Sequence, residues 1–228
     1  MIIKKLLDEY YHEVDAAMRS FYFFKSFHNI ISDDKTLLPI VNQSALLWNT
    51  ILYSMLVTFF TALGRLFDSN KRSLSVYKFI DQCKKSASEF SKDALEKRCM
   101  DRARGIRPDY PDDFLSDVYE GDAAEYFHNI ADEKISKWEE IYKKRYKPIR
   151  DKVIAHKDLD TIEKQRALFE ETNIEEVENI LEFLYQIHSV VERLFLNGLV
   201  LQLSSCSLPS TEGNIRKKLE RLLRKLAG

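Results

Sequence analysis

Glycine and proline are scarce in this chain, six and five among 228 residues. Nucleotide folds built on glycine-rich turns and many-stranded barrels both need more turn residues than that, so helices are expected to dominate. No two glycines fall close enough for a phosphate-cradling P-loop or a dinucleotide fingerprint, which removes the commonest ATP and NAD readings. Cysteine is sparse as well. Cys83, Cys99 and Cys206 stand far apart with no C-x-x-C pair, so neither a disulfide framework nor a zinc site is indicated, and a reducing cytoplasm fits. His12, His28, His128 and His188 share no metal-ligand spacing. No metal and no cofactor is expected. The N-terminus Met1-Ile2-Ile3-Lys4-Lys5 leads into alternating apolar and acidic residues without the pattern of an export signal.

What is present is a 45% hydrophobic, 31% charged chain, a balance that suits one soluble domain, at most two, with a buried core rather than disorder. The net charge of −1 conceals sorted blocks. Residues 109–133 hold nine acids and no Lys or Arg; residues 134–157 hold nine bases against three acids. The sign then reverses through 158–182, with nine acids and two bases, and again in 214–228, with six bases and one acid. A basic band thus sits between acidic ones. Between Thr36 and Gly64 there is no charged residue at all, a run long enough to span a bilayer. Asn42, Gln43, Asn49, Thr50, Ser54, Thr58 and Thr61 interrupt it every few positions, so it reads as the central helix of a bundle and no membrane span is expected.

Apolar spacing near 3.6 runs through the first 29 residues, from Leu6 and Leu7 to Phe21 and Tyr22, and predicts a first helix. A break at Ser32-Asp33-Asp34-Lys35 precedes a central helix expected from Pro39 to about Phe67, roughly seven turns. Ser73 or Ser75 can cap a shorter helix through Cys83, and Ser91 with Asp93 opens another through about Ala103. Residues 104–121, with Gly105, Pro108, Pro111 and Gly121, lack helical periodicity and are expected to form an irregular excursion. A long helix resumes at Asp122 and meets Pro148, whose missing N–H must kink or restart it. A last long helix is expected from Ile174 to Leu203. The fold class is therefore all-α, an antiparallel helical bundle over residues 1–208. Residues 209–228 form a basic amphipathic tail, able to pack as a final helix or to dock on a partner helix, anionic lipid or RNA phosphates.

The densest chemical constellation is Arg150-Asp151-Lys152-Val153-Ile154-Ala155-His156-Lys157-Asp158, inside the basic band. Metal-free cleavage of RNA needs a base for the 2′-hydroxyl proton, an acid for the leaving 5′-oxygen and a cation for the phosphorane charge. Imidazole and guanidinium can supply these, since histidine titrates near neutrality and arginine presents a permanently charged fork to phosphate oxygens. On a regular helix Arg150 and His156 would stand about 120° apart. Either the helix is bulged or ending near Ala155, or the two side chains converge in a cleft completed by a second copy. A second feature is the stripe Thr50, Ser54, Thr58, Thr61, Arg65, Asp68 along one face of the central helix. It reads either as close helix packing with a local Arg65–Asp68 pair, or as a face that brings those two charges to the Arg150 cleft.

Arg150 to His156 matches the Arg-x(4 to 6)-His signature of the HEPN superfamily (higher eukaryotes and prokaryotes nucleotide-binding), with a polar residue directly after the arginine. About one match of that spacing is expected by chance in a chain with fourteen arginines and five histidines, and one occurs. A second stretch, Ala62-Leu63-Gly64-Arg65-Leu66-Phe67-Asp68 followed by Ser73-Leu74-Ser75, resembles the abortive-infection branch of that superfamily. The resemblance implies a HEPN-type helical bundle, a homodimer, and a metal-independent endoribonuclease that cuts RNA as a toxin or phage-defence effector. Carried onto this sequence, it implies that Arg150 holds the scissile phosphate, His156 serves as base or acid, and Asp151 orients one of them. Arg65, Lys147 and Lys152 are the expected RNA contacts and Asp68 a supporting residue, with an antitoxin protein as a further expected partner. The alternative is a noncatalytic helical module that binds RNA, a nucleotide or a protein, with Arg150 merely paired to an acid such as Glu182 or Asp158.

Overall fold

The computed structural model describes residues 2–70, 72–102, 118–155 and 165–227, and every regular element among them is helical. Most of the expected excursion at 104–121, together with His156, Lys157 and Asp158, therefore lies outside the described residues. By contact density the chain divides into two compact units. One comprises Met1–Tyr11, Phe67–Ile141 and Glu178–Ser207; the other comprises His12–Leu66, Tyr142–Val177 and Leu208–Gly228.

The first unit contains the opening turns of α1 (Ile2–Asp33), α4 (Val76–Lys85), α5 (Lys92–Arg102), α6 (Ala123–Ile141) and most of α9 (Ile174–Asn197). Local capping signals set several of these ends. Ser91 accepts from the Ala94 N–H (3.2 Å) ahead of α5, and Asp122 accepts from the Ala124 N–H (2.8 Å) ahead of α6. Ser75 stands at the start of α4 without a side-chain cap bond. The core gathers Ile3, Leu7, Tyr10, Phe79, Ile80, Phe127, Ile180, Leu184 and Ile187, with Tyr10 stacked on Phe79 at 4.2 Å between ring centres. Arg98 closes the end of α9. Its guanidinium donates to the carbonyls of Phe195 (2.7 Å) and Glu89 (2.6 Å) and lies 4.1 Å over the Phe195 ring, where a cation meets the negative end of the helix dipole. His188 is buried beside Tyr11, and burial pulls its pKa down to about 4, so it is a neutral packing residue at physiological pH. Cys83, Cys99 and Cys206 are free and buried. No cluster of potential metal ligands occurs among the described residues.

The second unit contains the rest of α1, a 3₁₀ turn at Lys35–Leu37, α2 (Leu38–Gln43), α3 (Ala45–Leu66), α7 (Lys147–Ile149), α8 (Gln165–Glu170), the first residues of α9, and α10 (Thr211–Ala227). The expected seven-turn central helix is divided. Pro39 starts α2, as its fixed φ favours, but Ser44 leaves helical geometry (φ −124°, ψ 39°) and α3 begins after it. Asn42 and Ser44, whose short polar side chains compete for the backbone, are the local reason. The tail packs as a final helix: Leu219 and Leu223 are buried with Phe27, Ile30, Leu37, Val41 and Trp48. Ion pairs Arg216–Asp33 (2.7 Å), Arg224–Asp34 (3.0 Å) and Lys25–Glu212 (2.9 Å) fix it to α1 and the turn after it.

Two further expectations meet the structure. Of the two readings of the stripe, packing within the chain does not hold at Thr50, Ser54 and Thr58, which are exposed, and each hydroxyl donates to the carbonyl four residues back at 2.8 Å. Leu46, Leu47 and Tyr53 share that open face. α3 is the one described helix long and apolar enough to cross a membrane, a test that the core helix of a soluble bundle also meets. The last long helix stops at Asn197, short of Leu203, because Gly198 turns into left-handed geometry (φ 68°). There its N–H bonds the Leu194 carbonyl (2.9 Å), and the Leu199 N–H reaches back to Arg193 (3.4 Å). A β-carbon at this position would lie 2.7 Å from a Val118 methyl and 3.0 Å from Leu95. Gly198→Ala is thus expected to destabilise the protein by about 1–3 kcal/mol, through backbone strain and overpacking together. A denaturant midpoint that matches the parent protein would refute this.

Candidate functional site

Pro148 organises the site. It has no N–H to give the carbonyl of Lys144 and its ring crowds that turn, so a regular helix cannot run through it. The chain answers with two wide π-helical turns, Tyr142–Tyr146 and Arg150–Ala155, on either side of the short α7. Such turns are rare and recur at functional positions. A bulge, one of the ways in which the Arg150 to His156 spacing could be accommodated, is present at Arg150–Ala155, while His156 lies outside the described residues.

Two tyrosines anchor these turns. Tyr146 is buried, and its hydroxyl donates to the Glu176 carboxylate (2.8 Å) and lies 3.3 Å from the Asn173 carbonyl. Burial and the negative Glu176 raise its pKa well above that of a free phenol, so it stays a donor. Arg145 donates to the other Glu176 oxygen (2.8 Å), so one carboxylate ties both side chains to the start of α9. Tyr142 is also buried, near Gly64 of α3. Neither tyrosine was singled out from the sequence, because at helical spacing both read only as core. Beside Tyr146 an aromatic-walled cavity of about 310 Å³ opens among Phe21, Phe24, Phe59, Phe60 and Phe169.

Arg150 is half-buried against α3. A β-carbon at Gly64 would lie 2.9 Å from Arg150 Nε and 3.3 Å from the Tyr142 hydroxyl. The glycine of the second sequence stretch thus makes room for the arginine of the first, a relation neither stretch reveals alone. Arg150 donates to the Asp151 carboxylate (2.7 Å), which also receives Lys147 from one turn earlier. Burial would raise the Asp151 pKa, but the hydrogen bonds from Lys147 and Arg150 and their charges outweigh it and hold the carboxyl below its ordinary value. Asp151 is therefore an anion that orients cations, not a proton donor at neutral pH.

The other predicted residues are placed separately. Lys152 is exposed next to this pair. Arg65 pairs with Glu13 of α1 at 2.9 Å. Asp68 belongs to the first unit, where its carboxylate caps Asn70 N–H (2.9 Å) and accepts from the Ser73 hydroxyl (2.6 Å), which ties the ends of the Asp68 to Ser73 turn together. Of the acids considered for pairing with Arg150, Glu182 accepts from Gln186 (3.2 Å) and Asp158 is not among the described residues.

Because the atom nearest Gly64 belongs to a flexible side chain, Gly64→Ala is expected to displace Arg150 rather than unfold α3. The change should leave the thermal midpoint level or raise it, since alanine gains up to about 1 kcal/mol over glycine within a helix. The Arg150 Nε–H resonance should shift in the NMR spectrum. An unmoved resonance in a folded variant would show that Gly64 does not position Arg150.

Comparison with curated proteins and with solved structures gave no match. A family model described as HEPN AbiU2 matches residues 2–213, which include both π-helical turns, Gly64 and Arg150. With nearly the whole helical assembly covered, and the two stretches that resembled the superfamily both inside the match, the chain belongs to the HEPN AbiU2 family of abortive-infection proteins.

Proposed function

We propose that the protein is a metal-independent endoribonuclease of abortive infection, an RNA-cleaving toxin or phage-defence effector, with Arg150 and His156 in a cleft between two copies of the chain. The observation that carries this reading is the setting of Arg150: a guanidinium lodged in a π-helical turn, oriented by Asp151 and seated on the bare backbone of Gly64. A cation so held keeps its fork geometry without having to be ordered by substrate, which favours phosphate binding. In the reaction a base takes the 2′-hydroxyl proton, the 2′-oxygen bonds to phosphorus, and the bond to the 5′-oxygen breaks as that oxygen gains a proton. Arg150 balances the extra charge on the phosphoryl oxygens, while His156 carries a proton at one of the two oxygens. Lys147 and Lys152 on the same segment extend positive charge along the RNA backbone, and Arg65 joins them by exchanging Glu13 for phosphate.

The second copy is assigned to the open face of α3. Leu46, Tyr53 and Thr50 lie there with Ser54 and Thr58, an apolar and small-residue surface suited to close helix contact. A noncatalytic RNA- or protein-binding module is the competing reading, favoured by the fact that Arg150 already has Asp151 as a counter-ion.

Purified protein should cleave single-stranded RNA in EDTA and leave 2′,3′-cyclic phosphate ends. His156→Ala and Arg150→Ala should each lower the rate by about 10²–10⁴-fold with an unchanged circular dichroism spectrum. RNA binding without cleavage by any form would decide for the binding module. Separately, Tyr53→Glu should convert a dimer into a folded monomer in sedimentation velocity; a parent protein that sediments as a monomer at tens of micromolar would remove the shared cleft.

A further inference from the structure

The family match ends at residue 213, three residues into α10, so most of that helix lies outside what family membership describes. Its charges divide by direction. At about 100° per residue, the buried Leu219 and Leu223 define the inward face. Arg216, Glu220 and Arg224 flank that face and are used internally, in the pairs Arg216–Asp33, Arg224–Asp34 and Arg224–Glu220 (2.8 Å). Lys217, Lys218, Arg221 and Lys225 fall within an arc of about 100° opposite the leucines, along about 12 Å of helix. All four are exposed, and no ion pair engages them among the described residues.

We infer that this outward face of α10 is a second RNA-binding surface, a row of cations that holds the phosphate backbone apart from the Arg150 segment. The choice of RNA as ligand rests on the proposed nuclease reading; the charge pattern itself calls for a polyanion. A bilayer fits less well. An amphipathic helix binds lipid by burying its apolar face, and here Leu219 and Leu223 are committed to Phe27, Ile30 and Trp48, leaving Leu222 and Leu226 as the exposed apolar residues at one edge. Phosphate binding needs only the face that is left over. Because contacts to backbone phosphate carry no sequence information, α10 would add affinity and reach while the choice of cleavage position stays with the site that holds Arg150.

The test is fluorescence anisotropy of a labelled 20-nucleotide oligouridylate with the full chain carrying His156→Ala, from 50 to 200 mM KCl. Combining Lys217→Gln, Lys218→Gln, Arg221→Gln and Lys225→Gln should weaken binding by about tenfold or more at 100 mM salt. It should also flatten the log–log salt slope by about three, near 0.7 per lost phosphate contact on a single strand. Two half-sets, Lys217→Gln with Arg221→Gln and Lys218→Gln with Lys225→Gln, should each give about half that flattening. They keep the test valid if the fourfold variant loses its helix. Unchanged affinity and slope in folded variants would overturn the inference. So would binding to phosphatidylserine vesicles that is lost in the variants while RNA affinity is kept. If the parent protein never cleaves RNA yet the salt slopes change as stated, the nuclease reading falls and this surface stands. If cleavage is confirmed but the slopes do not change, the reverse holds.

Discussion

The contact on which the site depends is between a missing side chain and a present one. Gly64 lies in the last turns of α3, and the space where a β-carbon would be is taken by Nε of Arg150 and the hydroxyl of Tyr142. That seat, with Asp151 as counter-ion, gives a long flexible cation a defined place. Tyr142 and Arg150, the first residues of the two wide turns on either side of Pro148, meet at the same glycine. Tyr146, bonded to Glu176, fixes the first of those turns from the side of α9. Glycine, proline, tyrosine and arginine thus form one arrangement, in which each would be unremarkable alone.

Charge is partitioned by the same logic. Within the second unit, acids and bases that meet at short range serve as fasteners: Arg145 with Glu176, Arg65 with Glu13, Arg216 with Asp33 at the end of α1, and Arg224 with Asp34 just after it. These pairs are partly exposed, and each contributes little to stability by itself. What they do is join elements: the first π-helical turn to the start of α9, α3 to α1, and α10 to the end of α1 and the turn after it. The net charge of −1 gives no hint of this, because the sum over the chain averages faces that point in different directions.

Much of the helical order was legible because its causes are local. Ser91 and Asp122 cap the helices that follow them, Pro39 opens α2, and the leucines of the tail recur at the spacing that α10 buries. The errors also have a common cause. Ser44 divided a run whose apolar character continues through it, and Gly198 ended α9 while apolar residues went on to Leu203. The spacing of Thr50, Ser54 and Thr58 defines one face of a helix, and spacing does not say what covers a face, which is open in the structure.

The sequence alone determined that the chain is helical, where most helices begin, that Arg150 and its neighbours are the chemically dense segment, and which superfamily that segment resembles. Each of these follows from interactions within a few residues, or from a pattern repeated along one helix. Only the tertiary structure decided that Gly64 serves Arg150, that Arg65 turns to Glu13, and that the tail turns Leu219 and Leu223 inward while Leu222 and Leu226 stay exposed. Those outcomes join residues up to 190 positions apart, as in the bond from Arg224 to Asp34. Periodicity carries no record of which distant surface a face will meet, so only packing could assign the partners.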